Sequence, residues 1–432
     1  MRRTQRIIAV AASLVAAVSY ALTGSGTASA ANDPGYRSLG AIEASDLPTP
    51  APQAGQGSVK VGTEISCSPV ASSERAALNG AVKACVETRP LAANSPVTAR
   101  ALETADAEAC DITQPGTWTW SRTGGICMNG SEATYTLWND KGAVLGTGLI
   151  EVKSSMDLSA TSTTWNELIT VRVVAVTGQV TSLNVAFDVS CTSACSATSS
   201  RPWTGTKSLG LGAQASGSVT YASGVAAGAS DSFQTKYHMY VTTTGNIPTQ
   251  PNADWDSPVQ AKLRCDAELA TPGCVIPASR ATLEYSLSDP TNGAAAAGYA
   301  FAQIYLRDWA PLSRADGLSD ANRARTCGAQ SSDPFVALPQ YVPDDSCDEF
   351  PFAGSFEGGT DGALCADIVL LYEGGQWVPY EARTDKPVTY SEPCVRAHVA
   401  LTANQSAGGK YGAFVKSQRV LDTEKYNVNV VA

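Results

Sequence analysis

Leu168-Ile169-Thr170-Val171-Arg172-Val173-Val174 sets Ile169, Val171 and Val173 on one side of an extended chain and Thr170, Arg172 and Val174 on the other. Thr177-Gly178 then leads into a second such run, Val180 to Val189. A period of two marks a strand with one buried face, and β-branched residues suit that pleated surface. Working outward, Thr117-Trp118-Thr119-Trp120 and Thr134-Tyr135-Thr136-Leu137-Trp138 repeat the pattern, the latter running into the turn signal Asn139-Asp140-Lys141-Gly142. Val219 to Tyr221 and Met239 to Thr243 continue it. Short strands at this spacing predict a β-sandwich-like accessory domain over residues 115–275. Its Trp residues are expected in the core, with a carbohydrate platform as the rival reading.

The flanks differ in texture. Residues 31–66 are rich in Pro, Gly, Ala and Ser and read as a linker. Residues 67–114, with Ser73-Glu74-Arg75-Ala76-Ala77-Leu78, read as a short helical region. Residues 276–432 mix a strand at 282–287, helices at 294–306 and 320–325, and a closing strand at Tyr426 to Val430, which is an α+β pattern. The chain of 432 residues thus divides into several domains. Its 44% hydrophobic content excludes a mostly disordered chain, and no apolar run of spanning length follows the first 30 residues.

Residues 1–30 read as a secretory signal peptide: Arg2, Arg3 and Arg6, an apolar run from Ile7 to Leu22, then Ala28-Ser29-Ala30. A secreted, extracellular protein with no membrane segment after cleavage is expected. All 12 cysteines follow that segment: Cys67, Cys85, Cys110, Cys127, Cys191, Cys195, Cys265, Cys274, Cys327, Cys347, Cys365 and Cys394. Export and an even count argue for disulfides, with pairing of neighbours the simplest pattern. With only 2 His, any three-histidine mechanism is excluded.

The densest acidic run is Asp344-Asp345-Ser346-Cys347-Asp348-Glu349, followed by Phe350-Pro351-Phe352-Ala353 and Glu357-Gly358-Gly359. Acid runs are ordinarily solvated, but a cysteine and two aromatics tie this one to the fold. Carboxylates held beside apolar side chains can shift in proton affinity or hold a divalent metal. A second candidate is Asn404-Gln405-Ser406-Ala407-Gly408-Gly409, within a stretch carrying Arg396, Lys410, Lys416, Arg419 and Lys425. Lys410 and Arg419 are the phosphate-binding candidates there. No Gly-x-Ser-x-Gly elbow, Walker loop or dinucleotide fingerprint is present, and His238 and His398 lack a triad context.

Cys347-Asp348-Glu349-Phe350-Pro351-Phe352-Ala353 with Glu357-Gly358-Gly359 resembles the signature of the NucA/NucB deoxyribonuclease domain family, in its secreted actinobacterial form. Leu312-Ser313-Arg314, Asn322-Arg323 and Cys327 upstream, Asn404 to Gly409 downstream, and Gln418-Arg419-Val420-Leu421-Asp422 through Val428 resemble further family segments in the same order. The resemblance covers residues 276–432. It implies a small α+β nuclease domain similar to the ββα-metal fold, with a divalent metal, Mg²⁺ or Mn²⁺, as cofactor. It implies Asp348 as the base that activates water, Glu349 as partner to a metal-bound water, Asn404 as metal ligand and Glu357 as a weaker one. Ala403 and Gln405 depart from the family, which often carries charged residues on both sides of the Asn.

The expected function is a secreted, metal-dependent endonuclease that hydrolyses phosphodiester bonds of extracellular DNA with little sequence preference. An inhibitor protein or a cell-surface ligand is a further partner class, and oligomeric state is left open. The alternative is a secreted binding or surface protein with a catalytically degenerate nuclease-like domain; a toxin-like nuclease is a third reading. Charge bears on all three. Residues 298–432 carry 11 Lys+Arg against 17 Asp+Glu, so DNA contact must rely on a local patch and a metal.

Overall fold

The computed structural model describes residues 36–49, 57–70, 80–92, 114–243, 251–307 and 311–432. The signal segment and Ser73 to Leu78 lie outside the described residues.

Most of the first lobe is antiparallel sheet. One sheet runs Gly57–Lys60 (β1), Thr117–Ser121 (β4), Gly125–Asn139 (β5), Val144–Asp157 (β6), Thr164–Gly178 (β7), Gln214–Ser223 (β11) and Cys195–Ser199 (β9). Ala81–Pro90 (β3) also pairs with β5, and Glu64–Pro69 (β2) with β3. A second sheet runs Lys207–Gly210 (β10), Ser182–Cys191 (β8), Thr235–Thr243 (β13) and Asn252–Asp256 (β14). Ile169, Val171 and Val173 point inward and share one core with Leu183, Val185 and Phe187 of β8. Buried Glu167 of β7 crosses that core: the Tyr237 hydroxyl of β13 donates to its Oε1 at 2.8 Å and the Tyr221 hydroxyl to Oε2 at 2.9 Å. Trp118, Trp120, Trp165 and Trp203 are buried, Trp165 stacking on Tyr221 and Phe233. They serve as packing, not as an exposed carbohydrate platform.

Two expectations are corrected here. Residues 81–90, expected to be helical, form β3; Cys67–Cys85 bridges β2 to β3, and Ala81, Ala84 and Val86 enter the core. Tertiary pairing overrides alanine's helix propensity. Nor are residues 31–66 all linker. Leu39 donates its N–H to Pro379 O and Ile42 to Trp377 O, both at 2.9 Å, and both side chains are buried in the second lobe. Arg37 pairs with Glu381 at 2.6 Å. This strap covers the edge of Gln376–Glu381, satisfying backbone groups an open edge would leave bare. The five described disulfides join neighbouring cysteines: 67–85, 191–195, 265–274, 327–347 and 365–394. Cys127 is also disulfide-bonded, and Cys110 lies outside the described residues. Such bridges belong to an oxidising compartment. Among the described residues no helix is long and apolar enough to cross a membrane.

A three-stranded sheet of Ser230–Phe233 (β12), Leu263–Asp266 (β15) and Gly273–Val275 (β16) lies at the seam with the second lobe. That lobe has two small sheets. Ala281–Ser286 (β17), Lys425–Val431 (β23) and Leu312–Ser313 (β18) form one; Asp345–Phe350 (β19), Val395–Ala400 (β22), Ala366–Glu373 (β20) and Gln376–Glu381 (β21) form the other. Helix α1 (Gly293–Phe301) lies against the latter and continues as one wider turn to Leu306. Its small residues permit close approach: a Cβ on Gly298 would stand 3.0 Å from that of Ala397. Helix α2 is Ser319–Thr326, and β22 runs directly into helix α3, Leu401–Ser417.

If the strap belongs to the second core, Ile42→Ala lowers unfolding free energy by about 2–5 kcal/mol, as for other buried isoleucines. Urea denaturation measures it; a change within about 0.5 kcal/mol, normal for a surface site, would return the segment to a linker.

Candidate active site

Strand β19 carries the acidic run, and alternation sends its side chains to opposite faces. Ser346 and Asp348 face α1 and α3; Asp345, Cys347 and Glu349 face the α2 side. Asp348 and Glu349 are therefore neighbours in sequence serving two different environments.

Asp348 is buried. The Tyr299 hydroxyl of α1 donates to its Oδ1 at 3.2 Å. Its Oδ2 is buried with no hydrogen-bond partner. Tyr285, Phe350 and Phe352 pack with Tyr299 into an aromatic wall. Burial, and then the negative charge of Glu349, push the Asp348 carboxyl up to about 8. Burial likewise pushes Glu349 up to about 7, with Arg323 pulling the other way. Arg323 Nε stands 3.7 Å from Glu349 Oε1, and its side chain is 59% exposed, so it is a cation that solutes can reach.

Asn404 is in the first turn of α3. Its Nδ2 donates to Cys347 O at 2.8 Å and Ser346 Oγ at 3.2 Å, which fixes the amide against the peptide bond preceding Asp348. That leaves Oδ1 as the amide's open hard donor. Mg²⁺ and Mn²⁺ favour oxygen ligands, and Mg²⁺ keeps much of its own water, so the Asn404 amide oxygen is the group here that could hold such an ion.

The remaining expected site residues go elsewhere. Glu357 Oε2 accepts the Ser313 N–H at 2.8 Å, tying its loop to β18. Among the described residues, the one trio of His, Cys, Asp or Glu ligand atoms at mutual metal-binding distance is Cys327, Cys347 and Glu349, and its two sulfurs are a disulfide. Among the described residues, neither Glu357 nor Asp348 belongs to such a trio. Arg419 is not a phosphate contact: it is buried, and its guanidinium is held by Asp266 of β15. Arg396 is buried against Asp367 at 2.6 Å. The basic stretch thus loses two of its five cations to internal pairs. Lys410 stays near the surface, its Nζ 5.3 Å from the Tyr285 ring centroid. The acidic run is not simply solvated either, since Asp345 Oδ2 lies 2.6 Å from His398 Nδ1 inside the fold.

Comparison with protein-family models, curated proteins and solved structures finds no match. The site is accordingly described by its own geometry. Tyr299, which sets one oxygen of Asp348, lies in the stretch 294–306, whose sequence pattern marks only a helix. A lone tyrosine hydroxyl on an alanine-glycine helix is the signal, since such a buried group must find an acceptor.

Because folded Asp348 and Glu349 hold protons that unfolded carboxyls release near pH 4, the stability these two groups contribute is full below that value and is lost as pH rises through about 7 to 8. Chemical unfolding at about pH 5 and about pH 9 should show a less stable protein at the higher value, and Asp348→Asn should flatten the difference. Equal stability at both, with the wild-type chain, would contradict the raised carboxyls.

Proposed function

We propose that the second lobe is a metal-dependent phosphodiester hydrolase acting on extracellular DNA with little sequence preference, and that Asp348 is its base. The observation that carries the reading is the Asn404 amide locked to the Cys347 carbonyl, the peptide group just before the buried Asp348. The order of elements supports it too. β22, the antiparallel partner of β19, runs straight into the helix that bears Asn404, with β20 and β21 between the two strands in the chain, and the resemblance likewise implies an Asn on a helix beside the strand of the base.

In this reading Tyr299 orients the Asp348 carboxyl, leaving Oδ2 to take a proton from the attacking water. A divalent cation held through Asn404 would supply positive charge, favouring ionised Asp348 and offsetting charge on the phosphate. Arg323, beside Glu349 on β19, and Lys410, over the Tyr285 ring, are the cations this reading offers to a backbone phosphate. The disulfide network fits export to an oxidising medium, where free DNA is a substrate.

A second reading, a domain that holds its ligand without cleaving it, is favoured by the sealing of Asp348 Oδ2 from solvent. Nicking of supercoiled plasmid by the oxidised protein, with Mg²⁺ or Mn²⁺ and with EDTA, separates the two. The nuclease reading expects metal-dependent nicking, a loss of on the order of 10²–10⁴-fold in Asp348→Ala with the fold retained, and steep inhibition between about 50 and 200 mM salt. DNA retention without cleavage under all metals would favour the second reading.

A further inference from the structure

Helix α3 ends in an unusual way. Val420 N–H bonds to Val415 O at 3.1 Å and Arg419 N–H to Lys416 O at 3.4 Å, the two bonds of a Schellman cap. The residue that must turn left-handed there is ordinarily glycine, but it is Arg419, at φ +48°. Its side chain explains the choice. The guanidinium reaches out of the second lobe, pairs with Asp266, and donates to Ala160 O and Thr271 O at 2.7 Å each. The first lobe answers in kind. Arg122 donates to Gln418 O and Arg419 O, and Arg264 also donates to Arg419 O. Both arginines converge on Glu424, at 2.6 and 2.8 Å. Burial alone would raise the Glu424 carboxyl, but Arg122 and Arg264 outweigh it and hold it below its ordinary range. Two cations from one lobe thus sit on the carbonyl end of a helix in the other, where the helix dipole is negative.

The opposite end of the same helix bears Asn404. A helix of 17 residues is a rod about 25 Å long, so fixing its last carbonyls fixes the axis along which its first turn lies.

We infer that Arg122 and Arg264 are positioning residues for Asn404: the β-rich lobe holds the far end of α3 and thereby sets the amide against β19. The inference rests on reading Asn404 as a site residue. It gives the β-rich lobe a role inside the catalytic unit, beyond any attachment function.

The test uses the full chain. Arg122→Met/Arg264→Met/Glu424→Gln removes the two cations and the carboxylate they share, leaving Arg419–Asp266 in place, and Arg264→Lys is a milder second variant that keeps charge but loses the fork. Val171→Ala, in the core of the β-rich lobe and away from the junction, is the stability control. Melting temperature, hydrogen exchange over residues 401–411, and plasmid-nicking kcat and KM are read for each. The expected result is faster exchange in 401–411 in both junction variants and a kcat lowered about ten-fold or more in the triple variant, since small displacements of a site group are costly. KM should stay within about three-fold, and Val171→Ala should lower melting temperature alone. Native kcat and native exchange in the triple variant would overturn the inference, as would Val171→Ala reproducing its losses. If the wild-type chain cleaves nothing, the nuclease reading falls, and exchange over 401–411 alone decides the positioning role.

Discussion

The two lobes are joined by a small set of charges that neither could leave unpaired. Arg122, Arg264 and Arg419 are buried or nearly so, and their partners are Asp266, Glu424 and the final carbonyls of α3. Removing one member of a buried pair costs about 3–5 kcal/mol, because the other charge stays desolvated. The arrangement is therefore close to all-or-none. It fixes α3 at its C-terminal end, and the strap through Leu39 and Ile42 fixes β21 on the far side of the same lobe. Both contacts come from residues earlier in the chain than the lobe they stabilise. The second lobe is thus completed by the first and by the N-terminal segment.

Within that frame, β19 is held from three directions. It pairs with β22, it is bridged to α2 through Cys327–Cys347, and its backbone at Cys347 accepts the Asn404 amide. α2 adds further ties, with Asn322 donating to Ala353 O at 2.8 Å and Ser355 O at 3.2 Å in the loop after β19. A strand so constrained can keep a carboxyl buried without relaxing toward water. The raised proton affinity of Asp348 follows from that rigidity. Burial disfavours its charge, Glu349 repels it, and one tyrosine hydroxyl is too weak to compensate.

Much of the framework was legible in the sequence. The period of two from Leu168 to Val174 gave the correct face of β7, and neighbouring cysteines pair at all five described bridges. The helices near 294–306 and 320–325 and the last strand are where local pattern puts them. The misreadings have a common cause. Ala81 to Pro90 has a composition compatible with helix, yet forms β3 because β5 and the Cys67 bridge recruit it across long sequence distance. Leu39 and Ile42 lie in a stretch of linker composition, and only the bare edge of β21 gives them a place to dock. Arg419 looked like a phosphate ligand because its partner, Asp266, is 153 residues away. Asp348 and Asn404 stood out by motif, whereas Tyr299, meeting Asp348 from 49 residues away, did not.

Burial raises the proton affinity of the Asp348 carboxyl, to about 8. Carboxyl carbon NMR of aspartate-labelled, metal-free protein, with Asp348→Asn to assign the signal, measures this directly. The expected result is a signal, absent from that variant, that titrates near 8. A midpoint at the ordinary aspartate value of about 4 would mean that water reaches the carboxylate freely, and would contradict the account.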